Sequence, residues 1–287
     1  MIGKKEEKSL QDIKATTLFL VPTPIGNLRD ITLRALDVLQ AVDLIACEDT
    51  RHTRKLLSAH GISKPLISYE KFSEASKTSR ILRELSLGKS IALVSDAGTP
   101  LISDPGSVLV AKAREMGVQV ISLPGACAAV TALSSSGFDG PFRFIGFLPR
   151  QKRAAEMELA KMHFSSDHQI FYESPHRILA TLDMMHSVMP DRIICLAREI
   201  SKMHEEYIIG PVREVVDALK DRDILGEITV VVKGGSESAD EMDEVSLEKQ
   251  ARDLMKAGYS KKDLVRILSD QTGMGRNKVY QFLLSIH

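Results

Sequence analysis

From Leu18 onward the chain alternates short apolar runs with amphipathic segments, and this alternation constrains the fold more than any other feature. The runs TLFLVP, DLIACE, PLISY, SIALVSD and QVISLP have the length and composition of strands. Between them lie ITLRALDVLQAV, TRKLLSAHG, ASKTSRILRELSLG and GSVLVAKAREMG, helix-like segments of which some close on glycine. Strands that alternate with helices build βαβ units and a largely parallel sheet. In open sheets of that kind, ligands gather at the carboxyl ends of the strands.

After Pro124 the rhythm restarts. GACAAVTALSSSG reads as a helix of small residues, and KRAAEMELAKMH, HRILATLDMMHSV and VREVVDALKD as further helices. RFIGFLP, QIFYES, RIICLARE, EEYIIGP and EITVVVKG read as strands, with few helices between some of them, so the second sheet is expected to be mixed. The organisation expected is a flexible leader over 1–15, an α/β domain over 16–123, a second α/β domain over 124–235, a polar Gly/Ser-bearing linker over 236–245 and a helical module over 246–287. In the module, Ser260 is the expected N-cap, and Gly273 and Gly275 form the turn between the last two helices, an arrangement of helix-turn-helix type. No internal repeat or low-complexity tract is seen.

Composition narrows the function classes. The 287 residues are 44% hydrophobic and 26% charged, with a formal net charge of zero. A neutral chain has no global field to draw it onto nucleic acid or membrane, so any nucleic-acid site must be a local basic patch. Three scattered cysteines, Cys47, Cys127 and Cys195, form neither a disulfide framework nor a zinc motif, which fits a reducing cytoplasm. No apolar run approaches the ~18 residues of a membrane span, and the charged start MIGKKEEKSLQDIK has no signal-peptide core. There is no HExxH or other metal-ligand spacing, so no metal is expected.

Three turns carry chemistry. VPTPIGNLRDIT follows the first strand. It has one glycine, no lysine before its helix and two prolines without N–H donors, so it is neither a phosphate loop nor a dinucleotide fingerprint. VSDAGTPLISDPG follows the fourth strand. It packs two Gly/Pro turns into one loop, and Gly98 and Gly106 let backbone approach a ligand closely. In the alternative reading Asp104 simply caps a helix. LPGACAAVTAL follows the fifth strand and opens a helix with small residues, which suits either a ligand lying on the helix start or close helix-on-sheet packing.

In this order and spacing, the three turns resemble those of the tetrapyrrole methylase superfamily. Within it, they are similar to the bacterial enzymes that methylate a ribose 2′ oxygen of 16S ribosomal RNA, as are EDTRHTRKLL, FYESPHRI and AREISK. The resemblance covers about residues 16–235. It implies two α/β domains with S-adenosyl-L-methionine (SAM) in a cleft between them. SAM has no phosphate, which agrees with the missing phosphate loop. By motif match the cofactor residues are Pro24 in the first turn, Asp96, Ala97, Gly98, Leu101, Ile102 and Ser103 in the second, and Ala128 and Ala129 in the third. Tyr172, Glu173 and Ser174 match a segment near the adenosine, as do Arg198, Glu227 and Ile228. Glu173 stands where the porphyrinogen enzymes often carry Met.

The activity implied is 2′-O-methylation of a decoding-centre cytidine in the 30S subunit by a homodimeric cytoplasmic enzyme. The alternative within the same fold is a tetrapyrrole (uroporphyrinogen or precorrin) C-methyltransferase. A ribose hydroxyl needs a proton acceptor before it is a competent nucleophile. Glu48, Asp49 and Glu199 are the candidates, unranked. An N-cap role for Asp49 or Thr50 is the competing explanation of that carboxylate. On the RNA side, Arg51, His52 and Arg54 lie near the cofactor turns, and Lys261, Lys262, Arg266, Arg276 and Lys278 lie in the helical module, interleaved with Tyr280 and Phe282.

Overall fold

The computed structural model describes residues 16–70, 74–163, 165–235, 244–256 and 258–286. The expected leader and most of the expected linker lie outside the described residues. The chain divides into two compact units, Met1–Ala128 and Ala129–His287.

In the first unit, strands β1 (Thr17–Leu20), β2 (Leu44–Cys47), β3 (Leu66–Ser68), β4 (Ile91–Val94) and β5 (Gln119–Ser122) alternate with helices α1 (Leu33–Ala41), α2 (Thr50–Ala59), α3 (Glu74–Ser86) and α4 (Ser107–Glu115). The strands form one sheet in the order β3-β2-β4-β1-β5, and every pair is parallel. All four residues of β1 are buried, as expected of a parallel strand covered on both faces. Leu18 and Leu20 pack with Ile81, Leu85 and Leu109 of α3 and α4. Phe19 and Val21 point the other way, toward Val38, Leu39 and Leu57 of α1 and α2. Each such side chain contributes about 1.5–3 kcal/mol by leaving water.

This packing fixes where a ligand crevice opens. The chain leaves β1 through α1 on one face and leaves β4 through α4 on the other, and β1 and β4 are neighbours. Where adjacent parallel strands send their connections to opposite faces, the backbone parts at their carboxyl ends.

The second unit begins within α5 (Ala128–Ser136). Strands β6 (Phe142–Phe147), β7 (His168–Glu173), β8 (Ile193–Arg198), β9 (Glu206–Pro211) and β10 (Ile228–Val232) form a sheet of order β6-β7-β10-β8-β9. Only β6 and β7 pair in parallel; β10 is antiparallel to both neighbours, and β8–β9 is an antiparallel pair. The sheet is therefore mixed, as the scarcity of intervening helices predicted. Helices α6 (Lys152–His163), α7 (Pro175–Val188) and α8 (Val212–Leu219) belong to this unit, and side chains from α6, α7 and α8 share one core with Phe171, Leu196 and Val230 of the strands.

Helices α9 (Glu244–Lys256), α10 (Lys261–Thr272) and α11 (Arg276–Ser285) close the chain. Ser260 caps α10 in a capping box: its hydroxyl accepts the Asp263 N–H, and the Asp263 carboxylate accepts the Ser260 N–H. Gly273 ends α10 in the left-handed conformation, at φ 68°. The core of these helices, including Leu254, Leu264, Leu268 and Leu283, also takes in Met157 and Ala160 of α6. The helical segment is thus cored onto the second unit. Among the described residues no helix is long and apolar enough to cross a membrane.

Candidate active site

The strand order sets the ends of β2, β4, β1 and β5 side by side, so the turns singled out in the sequence meet at one edge of the first sheet. Hydrogen bonds fasten them together. Thr23 in VPTP and Gly98 in DAGTP exchange backbone bonds of 2.9 and 3.0 Å as an isolated antiparallel bridge. The Thr23 hydroxyl donates to the Ser95 carbonyl at 3.1 Å, and the Ser95 hydroxyl to the Gly98 carbonyl at 3.2 Å. The Thr99 hydroxyl donates to the Ala126 carbonyl at 2.9 Å, tying the second turn to the third. Gly125 passes so close to the first turn that an added Cβ would sit 2.4 Å from Pro22 Cβ.

The loop from Asp96 to Gly106 is strained. Leu101 and Ser103 adopt left-handed backbone, at φ 72° and 73°. That conformation costs non-glycine residues about 1–3 kcal/mol each and persists where the surroundings over-determine it. Gly106, at φ 135°, supplies part of the constraint: a Cβ there would meet Leu93 Cδ2 at 2.8 Å and Leu101 Cδ1 at 2.9 Å. Asp104 does not cap α4, whose N-cap is Gly106 with no side-chain bond. Ile102 and Ser103 are exposed, and Pro24, Asp96 and Leu101 are half-buried. No Lys or Arg occurs in 21–28, 94–106 or 123–133.

The surface beside these turns is acidic. The Asp96 carboxylate accepts the Asp49 N–H at 3.0 Å, joining the end of β4 to the start of α2. Burial raises the Glu48 carboxyl above its ordinary pKa, and the charges of Asp104, Asp96 and Glu70 raise it further. Asp104 is also raised, by burial and by Asp96, although a hydrogen bond with Ser95 offsets part of this. Among the described residues Glu48 makes no hydrogen bond or ion pair.

The other two base candidates are engaged. Asp49 is the N-cap of α2. It accepts the Arg51 N–H at 2.7 Å and Arg51 Nη2 at 2.8 Å, and hydrogen bonding from Arg51 holds its carboxyl far below the usual range. Glu199 lies in the left-handed region at φ 52°, and its carboxylate accepts Lys202 Nζ at 2.8 Å and the Glu227 N–H at 3.0 Å. Burial opposes its charge, but these bonds outweigh burial and lower its pKa. Arg51, His52 and Arg54 are exposed along α2.

The expected residues of the second unit separate by what their side chains do. Glu173 is buried: its carboxylate accepts the Ser174 N–H at 2.8 Å and the Thr181 hydroxyl at 2.9 Å and pairs with Arg177 at 3.3 Å. Ile228 is buried in the sheet core. Arg198 pairs with Glu206 at 3.0 Å and donates to the Leu225 carbonyl. Tyr172 stacks edge-on with Phe144 and Phe147. Glu227 is exposed and pairs with Lys202. Ala129 is buried on α5 and Ala128 half-buried. Lys261, Lys262, Arg266, Arg276 and Lys278 are all exposed, as is Tyr280, while Phe282 packs on the helical core.

The sequence model of the Tetrapyrrole (Corrin/Porphyrin) Methylases matches residues 17–216. The chain belongs to that family. It is 41% identical over 269 residues to "Ribosomal RNA small subunit methyltransferase I" of Bacillus subtilis, with 92% of each chain covered. It is 43% identical over 273 residues to the protein of the same name from Haemophilus influenzae, covering 93% of this chain and 96% of the relative. Among solved structures, a cobalt precorrin-4 methyltransferase superposes with a TM-score of 0.58 at 14% identity, over 76% of this chain and 95% of that one. The last likeness is one of fold.

Thr23, Ser95, Thr99 and Gly125 hold the site together, and the sequence did not single them out. Serine and threonine at strand ends are ordinary turn residues. Only the strand order reveals that the Thr23 and Ser95 partners, 72 positions apart, meet.

Proposed function

We propose that this chain is a SAM-dependent methyltransferase that methylates the ribose 2′ oxygen of a decoding-centre cytidine in 16S rRNA. Its substrate in this reading is the 30S subunit, and it works in the cytoplasm as a homodimer. The observation that carries the reading is the junction of three lysine-free turns, fastened to one another and bordered by carboxylates, at the parting point of a parallel sheet. The substrate class is supported by the relatives named for the ribosomal small subunit, matched along nearly their whole length.

The donor set suits SAM. A phosphate-free ligand carrying a sulfonium cation asks for backbone groups, carboxylates and apolar walls, not for lysines. Pro24, Asp96, Ala97, Gly98, Leu101, Ile102, Ser103, Ala128 and Ala129 would hold it. Tyr172, Glu173, Ser174, Arg198, Glu227 and Ile228 are assigned to the adenosine by resemblance. For Glu173 and Ile228 the contact would come from main chain, since their side chains are buried. When bound, SAM supplies an electrophilic methyl group on its sulfonium.

The chain's own part is orientation and proton transfer. Holding acceptor and donor in register contributes up to ~7–11 kcal/mol to such a reaction. Glu48 is the proposed base: it takes the proton of the 2′ hydroxyl as that oxygen becomes the ether of the methylated ribose. Its raised pKa makes it a stronger proton acceptor than an ordinary carboxylate. Arg51, whose side chain is 85% exposed, holds Asp49 only in a solvent-screened pair and can turn to an RNA phosphate. His52 and Arg54 flank it.

The test uses methyl-labelled SAM with 30S subunits lacking the modification, naked 16S RNA and uroporphyrinogen. Label recovered as 2′-O-methylcytidine from the subunits is the expected result. Label in the porphyrin would replace this reading with a tetrapyrrole C-methyltransferase.

A further inference from the structure

The second unit holds a groove of about 660 Å³ between the start of α6, one flank of α7 and the Gly258–Tyr259 turn that leads into α10. None of its lining residues belongs to the candidate active site. Four cations line it, and they differ in their engagements. Arg153 is held by Asp263 and Glu156 and lies over the Tyr259 ring at 5.2 Å. Arg177 donates to the Leu148 and Pro149 carbonyls and pairs with Glu173. Arg150 and Lys152 are exposed and make no ion pair or side-chain hydrogen bond among the described residues. Two cations therefore shape the wall, and two are free to meet an anion.

The rest of the lining says which anion. The groove includes apolar surface from Met184 and Val188, and the Asp183 carboxylate and Ser187 hydroxyl add hydrogen-bonding groups. An acidic peptide pairs with Arg150 and Lys152, but its carboxylates offer no donor to Asp183 or to Glu156, which also lines the groove, and gain little from the apolar surface. A polynucleotide strand fits all three parts. Its phosphates pair with Arg150 and Lys152, a base face lies on the apolar surface, and its 2′ hydroxyls donate to Asp183.

We propose that this groove binds a single-stranded segment of the substrate RNA. The inference rests on the reading of the chain as an rRNA methyltransferase and adds a second RNA contact, apart from the acceptor nucleotide. Lys261 and Lys262 begin two residues after Tyr259, so the free cations of the groove continue in sequence into those of α10.

The experiment compares the full-length protein with the double variant Arg150→Glu/Lys152→Glu and the milder Arg150→Gln/Lys152→Gln. The first probe is a single-stranded oligoribonucleotide lacking cytidine, bound at several salt concentrations. The second is methyl transfer to 30S subunits. Each lost phosphate contact should flatten the dependence of log affinity on log salt by about 0.7, so the double variant should lose about 1.4 of slope and bind the oligonucleotide about tenfold more weakly. The Gln pair should fall between the Glu pair and the wild type. On subunits KM rises, while kcat, SAM affinity and melting temperature stay unchanged. Unaltered oligonucleotide affinity and slope in both variants would overturn the proposal. So would displacement of the oligonucleotide by poly-glutamate as readily as by poly-uridylate, which would make the groove an acidic-peptide site. A wild-type protein that bound the oligonucleotide through Arg150 and Lys152 yet methylated no RNA would keep the groove and sink the methyltransferase reading.

Discussion

Glu48, Asp49 and Glu199 are carboxylates at strand ends of one chain, and their surroundings separate them. Glu48 is raised by burial first and by its acidic neighbours second. The folded state then binds its proton more tightly than the unfolded chain does. That contribution to stability is complete below the unfolded value of 4.5 and disappears as pH rises through the folded value. Glu48→Gln removes the charge that the fold disfavours. At neutral pH the variant is expected to melt no lower than wild type, and the difference should vanish in acid, as thermal melts across pH would show. The same variant should lose about 10²–10⁴-fold in kcat. A residue that helped to hold the fold would lose stability along with activity. Asp49→Asn keeps an N-cap oxygen and Glu199→Gln keeps an acceptor, so each should leave kcat within a few-fold of wild type in the same assay; a collapse of kcat in either would move the base there. All three were legible as candidates, in two separate segments. Their ranking was not, because an uncommitted carboxylate and one already accepting N–H bonds have the same letter in a sequence. Glu173 makes the same point: FYES does not show that its carboxylate is committed to Ser174, Thr181 and Arg177, which leaves only its main chain for a ligand.

At the scale of elements, the alternation marks β1 to β5 and α1 to α4 in chain order, but not the order of the strands across the sheet. β4 inserts between β2 and β1, and this crossing brings Gly98 to Thr23 and Ala126 to Thr99. Local periodicity carries no information about such pairings, since they depend on which apolar faces find each other. The coupling of the turns can be tested at Gly125. An added methyl would drive into Pro22, whose ring cannot turn aside. Gly125→Ala should cost about 1–3 kcal/mol by overpacking and weaken SAM binding, seen by calorimetry, with no polar contact removed. SAM affinity equal to wild type would show that the third turn does not need the first. Ser260 is an element-scale feature that was legible, because a cap is set by residues a few positions apart. Ser260→Ala removes the hydroxyl that accepts the Asp263 N–H and should lower stability by about 1 kcal/mol in chemical denaturation.

For the molecule as a whole, the last three helices raise a question that deletion cannot answer. Their core includes Met157 and Ala160 of α6, the Tyr259 hydroxyl donates to the Glu156 carbonyl at 2.8 Å, and Arg153 and Lys161 of α6 pair with Asp263 and Asp270. Removing residues 244–287 would uncover that face of α6, so loss of activity on truncation would report damage to the second unit as readily as loss of an RNA grip. The informative change keeps the core and alters only exposed charge. Lys261, Lys262 and Arg266 are exposed and make no ion pair among the described residues, whereas Arg252 on α9 is tied to Glu248 at 2.6 Å. If these free cations hold RNA, Lys261→Glu/Lys262→Glu/Arg266→Glu should weaken binding of the subunit and flatten its dependence on salt, leave SAM binding unchanged, and keep the cost in stability within the range of ordinary surface substitutions, about 0.5 kcal/mol each. Filter binding to 30S particles beside calorimetry with SAM separates the two. Subunit affinity that survives the triple reversal would make the helical segment a structural cap on α6 and leave recognition to α2 and the groove.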